Sequence, residues 1–231
     1  MNITRIGAIF EKDMKDFMKN PSLFIMPLMP ILMAFLYERI GNGEELPLLM
    51  IYIIIGTTFA ANASGCLMIM MVEEKEKMTL RGLMMSPASI VDIIFGKSLV
   101  AILLTVGSLV ISLSIIGFTG TNSFQAIIGL FFALLFFILL GIGIGLFVKT
   151  IASTQVYLTP ILFIFGMTPF IDFLGLEKNS LGLRIGQAFP LPQLIKMNET
   201  GSWIHLGVVG IWVVGAAIFA YIFFAKTRID D

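Results

Sequence analysis

The feature that most constrains this chain is the length of its uncharged intervals. Ser98–Val148 runs for 51 residues without Asp, Glu, Lys or Arg, and Leu46–Val72, Thr150–Ile171 and Thr200–Ala225 also lack them. A helix needs about 20 apolar residues to cross the hydrocarbon core of a bilayer. The longest interval can therefore hold two membrane-spanning helices, joined by the small polar turn at residues 118–124.

The composition indicates a membrane protein, since 58% of the residues are hydrophobic and only 13% are charged. Soluble domains carry about 25% charged residues. A backbone in lipid must satisfy its own hydrogen bonds, so each predicted span is an α-helix. The expected fold class is an all-α polytopic membrane protein with six transmembrane helices. The predicted spans are residues 22–40, 48–72, 93–117, 124–148, 154–174 and 203–225.

The basic residues predict that both termini lie in the cytoplasm, because Lys and Arg concentrate in cytoplasmic segments. This orientation places eleven Lys and Arg inside and four outside, as expected for a multi-pass protein of the plasma membrane. The outer four are Arg39, Lys178, Arg184 and Lys196. The inner eleven are Arg5, Lys12, Lys15, Lys19, Lys75, Lys77, Arg81, Lys97, Lys149, Lys226 and Arg228.

The first twenty residues predict a separate amphipathic helix. Apolar side chains recur there at helical spacing, with lysines on or beside the opposite face. Such a helix suits the inner headgroup layer, where it would contact membrane lipids; a merely solvated helix is the alternative. The domain organisation is therefore an interfacial helix at 1–20 and a transmembrane domain at 21–231. The expected membrane-surface residues are Arg5, Lys12, Lys15 and Lys19.

The segment 175–202 is the only long connection predicted outside the membrane. It is too apolar for a free loop, which favours short helices in the outer leaflet, broken at Pro190 and Pro192. An ordinary packed loop is the alternative reading.

Several kinds of chemistry are disfavoured by the sequence. The span centres contain no ionisable residue that could couple transport to an ion, and one histidine cannot form an H-E-x-x-H metal motif. Gly96-Lys97-Ser98 resembles the end of a P-loop, but Val91 stands where that motif needs glycine. The single Cys66 excludes an internal disulfide, and zero net charge gives no indication of nucleic acid as a partner.

Small and polar residues within the spans allow two readings. The polar residues of the second span can line a transport path, or they can bond to neighbouring helices. Gly141 and Gly145 have the G-x-x-x-G spacing that lets helices approach closely, within one chain or between two. The residues in the first group are Thr57, Thr58, Asn62 and Ser64.

The densest charge lies at residues 73–97, which orientation places in the cytoplasm. Leu80, Leu83 and Met84 share one face of a predicted short helix. Ser86-Pro87 and the capping box Ser89–Asp92 then predict that a new helix starts at 87–90 and leads into the third span. A short amphipathic helix that is separated from the next helix by a break can dock into a groove of a partner protein. A plain interfacial turn is the alternative.

The charged segment at 73–97 resembles the corresponding segment of the ABC-type-2 exporter family of ATP-binding-cassette permeases. Members have E-x-E-x-G-T-L-x-x-L-x-x-(S/T)-P-x-S…G-K after the second span, and this chain has EKEKMTLRGLMMSPAS at 74–89, followed by Gly96-Lys97. Residues 11–21 are similar to the family's elbow helix, and Pro160, Gly166, Pro169 and the sequence at 189–191 to its later signatures. Met78, Arg81 and Phe189 depart from the usual pattern.

The resemblance implies that 1–20 is the elbow helix and 75–86 a cytoplasmic coupling helix, held in a groove of a separate ATPase subunit. ATP and Mg²⁺ would bind to that subunit, so this chain would carry no cofactor and would not be an enzyme. A second permease chain, identical or related, would complete the pore. The implied coupling residues are Glu74, Glu76, Thr79, Leu80, Leu83, Met84, Ser86 and Pro87.

The leading hypothesis is therefore ATP-driven export of an amphipathic or hydrophobic compound, such as a peptide toxin, an antimicrobial peptide, a drug or a lipid. The alternative is a non-transporting accessory or immunity protein that binds its target in the membrane. An intramembrane enzyme is disfavoured because the catalytic groups are missing.

Overall fold

A computed structural model describes residues 3–41, 46–76, 89–118, 124–175, 177 and 180–227, apart from the side chains of Ser22 and Thr227. Within these ranges the regular structure is entirely helical. The helices are α1 (Ile3–Lys19), α2 (Pro21–Ile40), α3 (Leu48–Glu76), α4 (Ile90–Ile115), α5 (Phe124–Phe147), α6 (Ile151–Gly166), α7 (Leu181–Gln187), α8 (Pro190–Thr200) and α9 (Ile204–Thr227).

In the described part of the chain, five helices are long and apolar enough to cross a membrane: α2, α3, α4, α5 and α9. Helix α6 and the 3₁₀ helix Thr168–Leu174 pass the same test together, although they meet at an angle of 62°. The prediction of an all-α polytopic membrane protein is therefore confirmed. The predicted fifth span, 154–174, is a bent pair of helices instead of one straight helix.

The bend after α6 follows from local backbone chemistry. Pro169 has no N–H to offer the carbonyl of Phe165, and the Thr168 hydroxyl donates to that carbonyl at 2.9 Å instead. Residues 161–166 are already π-helical, with the N–H of Met167 donating to Leu162 at 2.8 Å. The helix therefore widens, ends at Gly166 and restarts in a new direction.

Helix α3 lies at the centre of the bundle, where its apolar part is completely buried. It packs against α2, α4, α5 and α6, and its middle section, Phe59–Cys66, is π-helical. Small residues allow the closest approach to α5, because a Cβ atom at Gly141 would lie 2.9 Å from the backbone of Ser64. Gly145 faces Met71 one turn further along. Both glycines thus pack against α3 within one chain.

The connection between α6 and α9 is folded onto the bundle. Helix α8 buries Leu191 and Leu194 completely, and the Trp212 indole of α9 donates to the carbonyl of Ala188 at 2.8 Å. The predicted interruption at Pro190 and Pro192 lies slightly earlier in the structure, at residues 188–189. Proline suits the first turn of a helix, where its missing N–H costs nothing, so these two prolines begin α8.

Candidate functional site

Four consecutive charged residues, Glu73–Glu76, end helix α3, and we refer to them as the hub. They follow directly on the uncharged part of α3, so they lie where that helix leaves the apolar interior. Each hub side chain bonds to a different part of the fold. One end of the central helix is thereby tied to α1, α4, α5 and α6.

Glu74 is the centre of a buried charge cluster. Its Oε1 atom lies 2.6 Å from Nζ of Lys12 on α1 and 2.9 Å from Nζ of Lys97 on α4. Lys97 also donates to both carboxylate oxygens of Asp13, at 3.1 and 3.0 Å. The side chains of Lys97, Asp13 and Glu74 are only 1%, 3% and 6% exposed, whereas that of Lys12 is 42% exposed. Two cations and two anions therefore balance across three helices.

The close approach of α1 and α4 makes this cluster possible. A Cβ atom at Gly96 would lie 2.7 Å from the Ile9 side chain and 3.3 Å from the carbonyl of Ile6. Glycine at this position lets the two helices touch, and the next residue of α4, Lys97, then reaches Asp13. A capping box between Ser89 and Asp92 fixes the start of α4, with bonds of 3.1 and 3.2 Å.

Burial and charge pairing oppose each other at the cluster. Burial alone would lower the pKa of Lys12, but the hydrogen bond and charge of Glu74 outweigh it and raise that pKa above its ordinary value. Burial raises the pKa of Asp13, against the contrary effect of Lys97. Buried charges are tolerated only when they are paired and hydrogen-bonded. The cluster therefore depends on all of its members.

The other hub residues bond to helix ends. Asn20, at the junction of α1 and α2, donates to Glu73 at 3.1 Å. Lys75 donates to carbonyl oxygens at the C-terminus of α5, namely those of Gly145 at 2.8 Å, Leu146, and Val148 at 3.4 Å. Glu76 accepts from the N–H of Ile151, at the N-terminus of α6, at 2.7 Å.

The signs of Lys75 and Glu76 suit the helix ends that they contact. A helix carries partial negative charge at its C-terminus and partial positive charge at its N-terminus. A cation therefore binds the end of α5 and an anion binds the start of α6. Adjacent residues of α3 thus hold both sides of the turn at 148–150.

A cavity of about 440 Å³ lies between α1 and the hub end of α3. Its lining is mixed in charge, because it includes Asp16 and Lys19 together with the members of the cluster. Part of the charged cluster therefore borders a space that a polar group can enter.

The structure describes only two of the predicted coupling residues. Glu74 and Glu76 lie in the hub, at the end of α3. The predicted coupling helix at 75–86 therefore begins within α3, and its continuation after Glu76 lies outside the described residues. So do Thr79, Leu80, Leu83, Met84, Ser86 and Pro87.

The predicted membrane-surface residues have different surroundings. Lys12 forms an ion pair with Glu74, so part of its positive charge is neutralised inside the protein. Lys15 is exposed and pairs with Glu11 at 2.7 Å, one turn away on the same helix. Lys19 is exposed and Arg5 is partly buried.

The predicted polar residues of the second span are all buried inside one chain. Thr57 and Thr58 donate to carbonyls of the preceding turn, with the shortest bond at 2.7 Å. Ser64 donates to the carbonyl of Phe137 on α5 at 2.5 Å. Only Ser64 therefore bonds to a neighbouring helix, whereas Thr57 and Thr58 bond within α3, and Asn62 differs from all three.

Sequence reasoning missed Asp13 and Lys97 as site residues. Asp13 falls on the same face of α1 as the buried Ile6, Ile9 and Phe17. A carboxylate in an otherwise apolar helix face was the available signal, since a buried charge needs a partner. That partner, Lys97, is 84 residues away in sequence, so the motif that includes Gly96-Lys97 could not pair it with Asp13.

Comparison with known proteins identifies the family of the chain. The family model described as ABC-2 type transporter matches residues 4–171, which include the elbow-like helix, the hub and α6. No curated protein matches the chain. The matched region covers more than half of the sequence and contains every helix end that the hub contacts. The chain therefore belongs to the ABC-2 type transporter family, as a transmembrane permease subunit of an ABC transporter.

Proposed function

We propose that the chain is the permease subunit of an ATP-driven exporter, and that the hub passes motion from a separate ATPase subunit to the transmembrane helices. The observation that carries this proposal is that Glu73–Glu76 bond to four different parts of the fold. The residues that follow, 77–88, would form the contact with the ATPase. Any displacement of that segment would act first on the hub.

The hub suits such a role because its bonds are charge-assisted, and such bonds are roughly twice as strong as neutral ones. Lys75 and Glu76 hold α5 and α6, while Glu74 holds α1 and α4. A pull on the end of α3 would thus move several helices together. We infer that the hub end moves as a unit during transport.

We infer that the energy for transport enters from outside this chain. The sequence offers no ion-coupling carboxylate at a span centre, and the family works with ATP-hydrolysing partners. We infer that ATP and Mg²⁺ bind to the partner subunit. We also infer that the hub end faces the cytoplasm, with both chain termini, because Lys and Arg concentrate there.

The proposed substrates are amphipathic or hydrophobic compounds, such as peptide toxins, antimicrobial peptides, drugs or lipids. Large apolar side chains cover much of the surface of α2, α4 and α9, including Leu36, Val110 and Ile211. Compounds dissolved in the membrane could therefore reach the protein directly. A second permease chain would enclose the pathway.

The experiment reconstitutes the permease with its cognate ATPase in vesicles and measures ATP hydrolysis and transport together. Transport should depend on ATP added on the hub side, and candidate substrates should stimulate hydrolysis. A chain that binds a compound and the ATPase without moving the compound would instead be an accessory or immunity protein. A scrambled 77–86 segment that leaves ATPase binding and transport intact would refute the coupling assignment.

The variant Lys75→Met tests the hub itself. Methionine keeps the length of the side chain but cannot bond to the end of α5, so we expect the amount of compound moved per ATP to fall at least about fivefold. Each lost charged hydrogen bond is worth about 1.5–3 kcal/mol, enough for a change of this size.

Lys149→Met is the matched control, because Lys149 is an exposed lysine in the neighbouring turn. It should leave the ratio of transport to hydrolysis unchanged. If Lys75→Met also leaves this ratio unchanged while the complex remains assembled, the hub does not carry the coupling.

A further inference from the structure

Asn62 is the exception among the polar residues of α3. It lies in the π-helical segment Phe59–Cys66 and has no exposed surface. Neither the oxygen nor the nitrogen of its amide has a hydrogen-bond partner among the described residues. By contrast, the hydroxyls of Thr57, Thr58 and Ser64 all bond to backbone carbonyls. These three hydroxyls of α3 are therefore satisfied, whereas the amide of Asn62 is not.

A second buried polar group lies on the neighbouring helix α4. The Ser112 hydroxyl is completely buried and also lacks a hydrogen-bond partner within the described residues. The contact between Glu74 and Lys97 sets the register of α3 and α4. At about 1.5 Å per residue, Asn62 and Ser112 lie roughly 18 and 22 Å from that contact, about one turn apart in depth.

We propose that Asn62 forms an internal water-binding site in the middle of the membrane, facing α4. The Asn62 amide offers two hydrogen-bond donors and one acceptor, and Ser112 adds a hydroxyl that can donate or accept a hydrogen bond. This set matches water, which makes about three hydrogen bonds when it is buried in a protein. An apolar ligand would leave the amide as unsatisfied as before.

The backbone around Asn62 supports the same assignment. A π-helical stretch changes the helical hydrogen-bond pattern, and such stretches recur at functional sites. The π-helical part of α6 packs directly against that of α3. The water site thus lies in an irregular part of α3 that packs against the regular helix α4, and not in a uniformly packed region.

The native chain contains its own reporter for this site. Cys66, the single cysteine, is fully buried and lies four residues from Asn62, on nearly the same face of α3. Radiolysis of bound water generates hydroxyl radicals that oxidise adjacent side chains. The experiment irradiates the intact protein in lipid vesicles prepared in H₂¹⁸O and measures ¹⁸O incorporation by mass spectrometry.

We expect Cys66 to incorporate ¹⁸O at least about fivefold faster than Met197, after correction for intrinsic reactivity. Met197 is the matched comparison, since it is only 1% exposed but lies on α8. Equal, slow oxidation of the two residues would overturn the proposal. This measurement uses the unmodified chain, so it does not depend on the folding of any variant.

The variant Asn62→Leu gives a second test. Leucine has a similar volume and needs no hydrogen bond, so the melting temperature should stay the same or rise, and the oxidation of Cys66 should fall at least about fivefold. Ser64→Ala removes a satisfied bond instead and should lower the melting temperature by about 2–4 °C. Unchanged oxidation in Asn62→Leu, or a loss of stability as large as that of Ser64→Ala, would contradict the water site.

Discussion

Replacing Lys97 with methionine is expected to lower the free energy of unfolding by about 3–5 kcal/mol. The methionine would fit the space of the lysine stem, but Asp13 would lose both hydrogen bonds from Lys97, and Glu74 would keep only Lys12 as its cation. Both carboxylates are buried, so solvation can replace only part of the missing interaction. Removal of one partner from a buried ion pair costs far more than the pair itself contributes, because a charge is left uncompensated.

The measurement is the thermal unfolding of purified protein in lipid nanodiscs, together with the folded yield. A loss of this size should lower the melting temperature by about 10 °C for a chain of this length. The matched control is Lys15→Met, which removes an exposed pair with Glu11 on the same side of the fold. Exposed pairs contribute about 0–1 kcal/mol, so that variant should melt within about 3 °C of the native chain.

A double variant separates charge from shape. Adding Asp13→Asn to Lys97→Met removes the carboxylate that has lost both of its hydrogen bonds from Lys97, and it should restore part of the lost stability. If the single variant melts like the control, the cluster does not hold the three helices together. If the double variant is less stable than the single one, the loss comes from packing and not from an unpaired carboxylate.

Replacing Gly56 with alanine is expected to destabilise the bundle by about 3 kcal/mol, the upper end of the usual cost of overpacking. A Cβ atom at this position would lie 2.1 Å from the carbonyl oxygen of Gly166 and 2.3 Å from the Leu191 side chain. The first of these atoms is backbone at the bend after α6. It cannot move aside without moving the helix, so the strain must be absorbed by separating α3 from α6.

Gly107→Ala is the control, because a Cβ atom there would meet no atom of the chain within 4 Å. Alanine favours the helix by up to about 1 kcal/mol over glycine, so this variant should melt at or slightly above the native temperature. Melting of the two variants in nanodiscs provides the comparison. Equal melting temperatures would show that α3 and α6 are not in contact at Gly56.

Much of the architecture could be predicted because it depends on local composition. The uncharged intervals located the long helices, and the predicted spans 48–72 and 124–148 agree with α3 and α5 to within a few residues at each end. The capping box at Ser89 likewise placed the start of α4 within its predicted range. In each of these cases the information lies within a few turns of the chain.

The fifth span shows where this reasoning fails. Hydropathy averages over a window, so it reads 154–174 as one span and cannot detect a 62° bend. The bend depends on which groups replace the hydrogen bond lost at Pro169, and those groups are Thr168 and the carbonyls before it. Similarly, the pattern of Gly141 and Gly145 indicates close packing but not the identity of the partner helix.

By itself the sequence determined the class of protein, the positions of its long apolar helices and the family resemblance, because hydrophobicity and short motifs are read locally. Only the tertiary structure decided that Asp13, Glu74 and Lys97 meet, and that Lys75 and Glu76 bind the ends of α5 and α6. Those contacts join residues up to 84 positions apart. They exist because helix packing brings distant charges into a buried space where each one requires a partner.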